Sequence, residues 1–252
     1  EEIAELFAHA YAIRNYCYSV LMQYFAPNFG DANQNLGVPY PTTFDINAKL
    51  PRSTVNEVYN GILSDLTAAK TNMTNNGNKK FNPETIDLLT ARVYLYMKNY
   101  PKAIEFADLA LNGPTPLLTR AQVNTYFGPV GENASYETLF QIYESANENP
   151  GSNEAISATW SSVGTYHQNW MRRSFWQTFP STDIRKTAWY PDNAAVNALM
   201  DDPKPIDVRK YVTPSRDVVL FRKTEAKFIQ FEALYHTNPS AAATELFNWV
   251  KT

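Results

Sequence analysis

Apolar side chains recur every three to four residues over residues 2 to 25, at Ile3, Leu6, Phe7, Ala10, Ile13, Cys17, Val20, Leu21 and Tyr24. That spacing predicts a long first helix with one apolar stripe, stopped at Pro27. The next stretch, APNFGDANQNLGVPYPTTFDINAKLP, is crowded with Pro, Gly, Asn and Asp and reads as a long ordered loop, a length usually kept for function. A second helix is predicted from Ser53 or Thr54 to about Lys70 on Val55, Val58, Tyr59, Ile62, Leu66 and Ala69, with Thr54 and Glu57 at capping-box spacing.

After the turn TNNGNKK, Asn82-Pro83 supplies a cap and a first-turn proline for a third helix. Its apolar residues Ile86, Leu88, Leu89, Val93 and Leu95 lie on more than one side, as in a helix with neighbours on two faces. Tyr100-Pro101 breaks it, and residues 102 to 112 form a partner helix that ends at Gly113-Pro114. Ala91 on the first helix faces Ala103, Ala107 and Ala110 on the second, with Tyr94 between them. Small side chains at such a seam are the pattern of a tetratricopeptide unit, whose stacked neighbours complete the core.

Beyond Pro116 the period fades. TLFQIYES (138 to 145) reads as a short strand or extended segment, and residues 146 to 222 hold short pieces at most. Helical spacing returns from Lys223 with Ala226, Ile229, Ala233 and Leu234. Asn238-Pro239 then repeats the earlier cap before a last helix on Ala242, Ala243, Leu246, Phe247 and Val250. The predicted fold is mainly α: a tetratricopeptide-like helical-repeat scaffold with a long irregular, loop-rich insertion. It divides into a helical block at 1–113, a variable insertion at 114–222 and a helical pair at 223–252, together one domain.

With 252 residues, 44% hydrophobic and 19% charged, the chain can bury a full core. Its 22 basic and 25 acidic side chains give a net charge of −3. The short pairs Lys79-Lys80, Arg172-Arg173, Arg185-Lys186 and Arg209-Lys210 make no basic stripe, which argues against nucleic acid as a partner. The lone cysteine, Cys17, rules out an intrachain disulfide. No apolar run reaches the ~18 residues of a membrane span, and a start at Glu-Glu is expected of a processed or truncated chain.

Catalytic and metal signatures are lacking in the sequence. His9, His167 and His236 are far apart, no cofactor motif is present, and nine glycines leave little for phosphate loops. Glu144, Glu148, Asp183, Asp201 and Asp202 lie near the irregular region, but a glycosidase pair is defined by separation, which spacing in sequence does not give. No enzyme, cofactor or metal site is expected.

Four stretches resemble the SusD/RagB-like family of nutrient-binding outer-membrane lipoproteins. Residues 2 to 31 resemble its first long helix, with Ile13-Arg14-Asn15-Tyr16, the turn Phe29-Gly30-Asp31 and then Gly37-Val38-Pro39. Residues 50 to 69 resemble a helix led by Pro-Arg and ending in Asp65-Leu66. Residues 84 to 111 carry the Ala-Arg-x-Tyr-Leu-Tyr core and the Asn-Tyr turn, and Phe221-Arg222-Lys223-Thr224-Glu225 with Glu232-Ala233 resembles a later helix start. Tyr136 to Phe140 and Asp183-Ile184-Arg185 are weaker echoes. Members are usually longer, opening with a signal peptide and a lipid-modified cysteine. The resemblance therefore implies a partial chain, attached to the membrane only through an N-terminal lipid anchor that these residues do not include.

The resemblance implies non-catalytic capture of an oligosaccharide or peptide nutrient at the cell surface, and its delivery to a SusC-like TonB-dependent transporter in the outer membrane. It also assigns ligand recognition to the variable insertion. There the stretch TWSSVGTYHQNWMRRSFWQTFP (159 to 180) and the residues after it offer flat rings at Trp160, Tyr166, Trp170, Trp176, Trp189 and Tyr190. Sugar rings expose C–H faces that stack on such surfaces, while Gln168, Asn169, Arg172, Asp192 and Asn193 can bond hydroxyls. Tyr40, with Phe44, is a second candidate rim. Each ring has a competing reading as an anchor of a long loop onto the helical scaffold. Two other functions stay open: a helical-repeat scaffold for a peptide or protein partner, and a carbohydrate-active enzyme.

Overall fold

In a computed structural model of the chain, the residues described are 2–31, 35–74, 77–126, 136–143, 170–192, 206, 208–209 and 217–251. The elements in chain order are α1 (Glu2–Phe25), α2 (Val55–Asn72), α3 (Pro83–Tyr96), α4 (Tyr100–Leu111), a 3-10 turn at Arg120–Gln122, α5 (Val123–Tyr126), β1 (Thr138–Ile142), α6 (Arg173–Gln177), α7 (Arg185–Ala188), β2 (Val218–Arg222), α8 (Lys223–Thr237) and α9 (Pro239–Lys251). The architecture is mainly helical and tetratricopeptide-like. The chain divides into two compact units, Glu1–Pro114 with Phe221–Lys251, and Thr115–Leu220.

In the first unit α1 packs on α2, α3 on α4, and α8 on α4, α3 and α9. The caps are those read from sequence. Thr54 and Glu57 exchange both capping-box bonds at the start of α2, and Asn82 Oδ1 accepts from Thr85 N at 2.9 Å ahead of Pro83. The buried face of α2 is Val55, Val58, Tyr59, Ile62, Leu66 and Ala69. Helix α3 is buried on several sides, as its scattered apolar residues require, and Ala91, Ala103, Ala107 and Ala110 are fully enclosed at the seam.

Helix α1 departs from its expected orientation. The residues it buries are Ala8, Ala12, Asn15, Ser19 and Met22, while Ile3, Leu6, Phe7, Ile13, Leu21 and Tyr24 are exposed. The face with the smaller side chains lies inward because it admits close approach of a neighbouring helix. Its two polar members cost little there: Asn15 Nδ2 donates to Tyr11 O at 2.8 Å and Ser19 Oγ to Tyr16 O at 2.7 Å. Ala12→Leu is expected to lower stability by about 1–3 kcal/mol through overpacking. Leu6→Ser, on the outward stripe, should change it by less than about 0.5 kcal/mol. Urea midpoints with unchanged slope measure both, and the reverse ranking would put the large apolar stripe inside.

Two charged ties bind motif residues distant in sequence. Arg14 pairs with Asp65, whose carboxylate also accepts from the Tyr40 hydroxyl at 2.8 Å. Arg92 grips Glu225 with two bonds of 2.7 and 2.8 Å, and its guanidinium lies 4.6 Å from the centre of the Phe221 ring. The Arg-containing core of α3 and the Glu at the start of α8 thus hold each other.

The second unit is built from short pieces. Tyr126 is fully buried and its hydroxyl shares a 2.8 Å hydrogen bond with Thr138 Oγ1 on β1. β1 pairs with β2 in a two-stranded sheet, α5 packs on α7, and Met171 forms an isolated antiparallel bridge with the buried Ile206.

Candidate functional site

The expected ring residues fall into three groups. Trp160, Tyr166, Gln168 and Asn169 lie outside the described residues. Tyr40 belongs to the first unit, half-buried, with its ring edge-on to Tyr18 at 4.6 Å and its hydroxyl given to Asp65. Gly61 makes room for it, since a Cβ there would come within 2.5 Å of the Tyr40 ring. Burial, then the bond to Asp65, pushes the Tyr40 hydroxyl well above the usual phenol range, so it stays a neutral donor. It serves as a post between the loop and α2.

The remaining rings sit in the second unit, around α6 and α7. Trp170, Trp176, Trp189 and Tyr190 are half-buried and Arg172 is exposed. The two helices are too short to persist by propensity, and polar ties hold them. Arg173 clamps Asp192 with bonds of 2.7 and 2.8 Å, Arg185 clamps Asp183, and Arg120 donates to the Thr182 carbonyl. The hydrogen bonds from Arg185 hold the Asp183 carboxyl below the usual carboxylate range. Trp189 O accepts from Arg209 N at 2.7 Å. Phe179 packs edge-on with Phe175 at 5.2 Å, tilts against Tyr190 at 6.4 Å, and lies under the Arg185 guanidinium at 4.4 Å. Phe179 is therefore an anchor.

Trp176 is different. Its Nε1 donates to Tyr190 O at 2.8 Å and the Lys186 ammonium stands 4.0 Å from the ring centre. The ring lines an open depression of about 480 Å³ with Ser181, Lys186, Thr187, Pro191 and Asp192. An indole and a proline offer an apolar surface, and four neighbouring side chains offer donors and acceptors, which is the chemistry a sugar ring requires. Lys186, Ser181, Thr187 and Pro191 were not singled out by the sequence. The only signal for them was their nearness to the tryptophans, and Arg185-Lys186 had entered only as a basic pair. Among the described residues no cluster of His, Cys, Asp or Glu could hold a metal ion.

A second open depression, about 550 Å³, lies in the first unit between Tyr18, Leu21, Phe25, Pro39, Pro41 and Leu50. Apart from the Tyr18 hydroxyl its lining side chains are apolar, so sugar hydroxyls would go unpaired there.

Comparison with known proteins follows the same lines. Residues 1–95 match the profile of a SusD-like family described as starch-binding and associating with the outer membrane. Comparison with functionally curated proteins returns no match. Among solved structures the chain resembles a SusD superfamily protein from Bacteroides thetaiotaomicron (21% identity, TM-score 0.77), covering 99% of this chain and 59% of that one. It also resembles a protein provisionally named as sugar-binding from Bacteroides vulgatus (27% identity, TM-score 0.76, covering 98% of this chain and 56% of that one). A third is a surface glycan-binding protein from Bacteroides uniformis (17% identity, TM-score 0.64, covering 92% and 54%). The chain thus spans less than 60% of the length of these structures.

Proposed function

We propose that this chain is a member of the SusD/RagB-like family, binds an oligosaccharide at the cell surface without chemically altering it, and passes it to a SusC-like TonB-dependent transporter in the outer membrane. The observation that carries the reading is the depression at Trp176, where one indole and four hydrogen-bonding side chains share a single cavity. The family description as starch-binding at the outer membrane supports both ligand class and location. The names of the relatives from B. vulgatus and B. uniformis support the ligand class. In this reading Trp176 is the main platform. Trp170, Trp189, Tyr190 and Arg172, and from the same insertion Trp160, Tyr166, Gln168 and Asn169, are proposed as further ligand contacts, and Tyr40 serves the scaffold.

A second reading, a helical scaffold for a peptide or protein partner, is favoured by the outward apolar face of α1 and by the apolar depression near it. Titration calorimetry against a panel of neutral and acidic polysaccharides separates the two. Saturable binding, with the glycan recovered at its original length, is the expected result. Shorter products would make the chain an enzyme, and an absence of binding across the panel would pass the lead to the scaffold reading.

A further inference from the structure

We propose that the glycan held at Trp176 is anionic, bearing a carboxylate or sulfate ester that seats against the Lys186 ammonium. This deepens the reading above and rests on it. An ammonium has three N–H groups. Lys186 Nζ gives one to Phe179 O at 2.9 Å and turns toward the Trp176 ring at 4.0 Å, which leaves donor capacity for the depression that Lys186 lines. Neither contact cancels the positive charge, and among the described residues no carboxylate pairs with Lys186. Asp192, the acidic residue in the same lining, is clamped by two Arg173 nitrogens. Asp183, the other described carboxylate of the segment, is held by Arg185.

Among the described residues, the depression therefore carries a cation with no carboxylate partner beside a stacking surface. A neutral sugar leaves that cation without a counter-charge. A uronate or sulfated sugar stacks on the indole and also makes a charge-assisted hydrogen bond, one of the stronger single contacts open to such a ligand. Arg172, exposed and without an ion pair among the described residues, adds to the positive surplus of the segment and favours approach of an anion.

The test uses two matched pairs: polygalacturonate with its carboxyl-reduced form, and chondroitin sulfate with its desulfated form. The first pair reads out a carboxylate preference and the second a sulfate preference. The proposal expects at least one anionic member to bind about tenfold or more tightly than its partner, equivalent to about 1.4 kcal/mol. It also expects that affinity to fall as salt is raised. Lys186→Gln should remove the preference, bringing the affinity ratio of the anionic and neutral members to about one, and Lys186→Arg should retain it even if the glutamine variant folds poorly. Equal or tighter binding of both neutral members, or an anionic preference that Lys186→Gln leaves intact, overturns it. If neutral glycans alone bind and depend on Trp176, the anionic assignment falls and the glycan reading stands. If nothing binds, both fall.

Discussion

Glu84→Ala is expected to lower the stability of the first unit by about 3–5 kcal/mol, the cost of taking an anionic partner from a buried charge. Lys223, at the start of α8, is 2% exposed, and its Nζ bonds Glu84 Oε1 at 3.2 Å and Gly113 O at 2.8 Å. Removing the carboxylate takes an anionic partner away from a buried ammonium. The paired change Glu84→Leu with Lys223→Met should be much milder, since it removes both charges and keeps volume. Gly113 belongs to the same knot. A Cβ there would meet Glu84 Cγ at 2.3 Å, so Gly113→Ala should act in the same direction as Glu84→Ala. Urea unfolding of the single and paired variants measures the difference. A single variant no worse than the pair would mean that the Lys223 ammonium finds water or another partner.

Trp176→Ala is expected to weaken glycan binding by about 2 kcal/mol, roughly thirtyfold in Kd, as truncation of a central aromatic contact does. The side chain also has a structural task, because Nε1 holds Tyr190 O and the ring carries Lys186. The variant must therefore be read beside Trp176→Phe, which keeps a stacking face and loses only the indole donor. A platform predicts that the phenylalanine variant retains most of the affinity and that the alanine variant melts as a folded protein without it. An anchor predicts that affinity and cooperative melting fall together in both. Phe179→Ala is the contrasting control: Phe179 packs against Phe175, Tyr190 and Arg185, so its loss should unsettle the segment itself.

The parts of the fold legible in the sequence are those in which local signals and burial agree. Helices α2 and α3 carry side-chain caps at Thr54 and Asn82 and keep a 3.6-residue apolar rhythm, and α4 keeps an alanine seam. Helix α1 had the rhythm, but its larger apolar side chains point outward and a row of Ala, Asn and Ser faces in. Hydrophobic periodicity finds a helix from its apolar stripe, and it cannot tell that a neighbour requires small side chains on another face. The ties Arg14–Asp65 and Arg92–Glu225 join residues that the motifs had flagged separately. Nothing in linear spacing pairs residues 51 or 133 positions apart.

The candidate site was legible as a region and not as a geometry. Clustered tryptophans marked the segment, yet which ring anchors and which lines a cavity depends on where α6 and α7 come to rest. Those helices have five and four residues, and their positions are set by Arg173 with Asp192 and Arg185 with Asp183 rather than by any period. Lys186 gained its meaning only from the contact with Trp176, and the engagement of the Tyr40 hydroxyl by Asp65 was equally invisible in linear spacing.

The most direct measurement is a crystal structure of the protein with the tightest-binding oligosaccharide of the panel. A sugar ring packed on the Trp176 indole, with hydrogen bonds to two or more of Ser181, Lys186, Thr187 and Asp192, is the predicted result. A sugar bound in the apolar depression beside Tyr18 and Phe25, or anywhere that leaves Trp176 untouched, would contradict it.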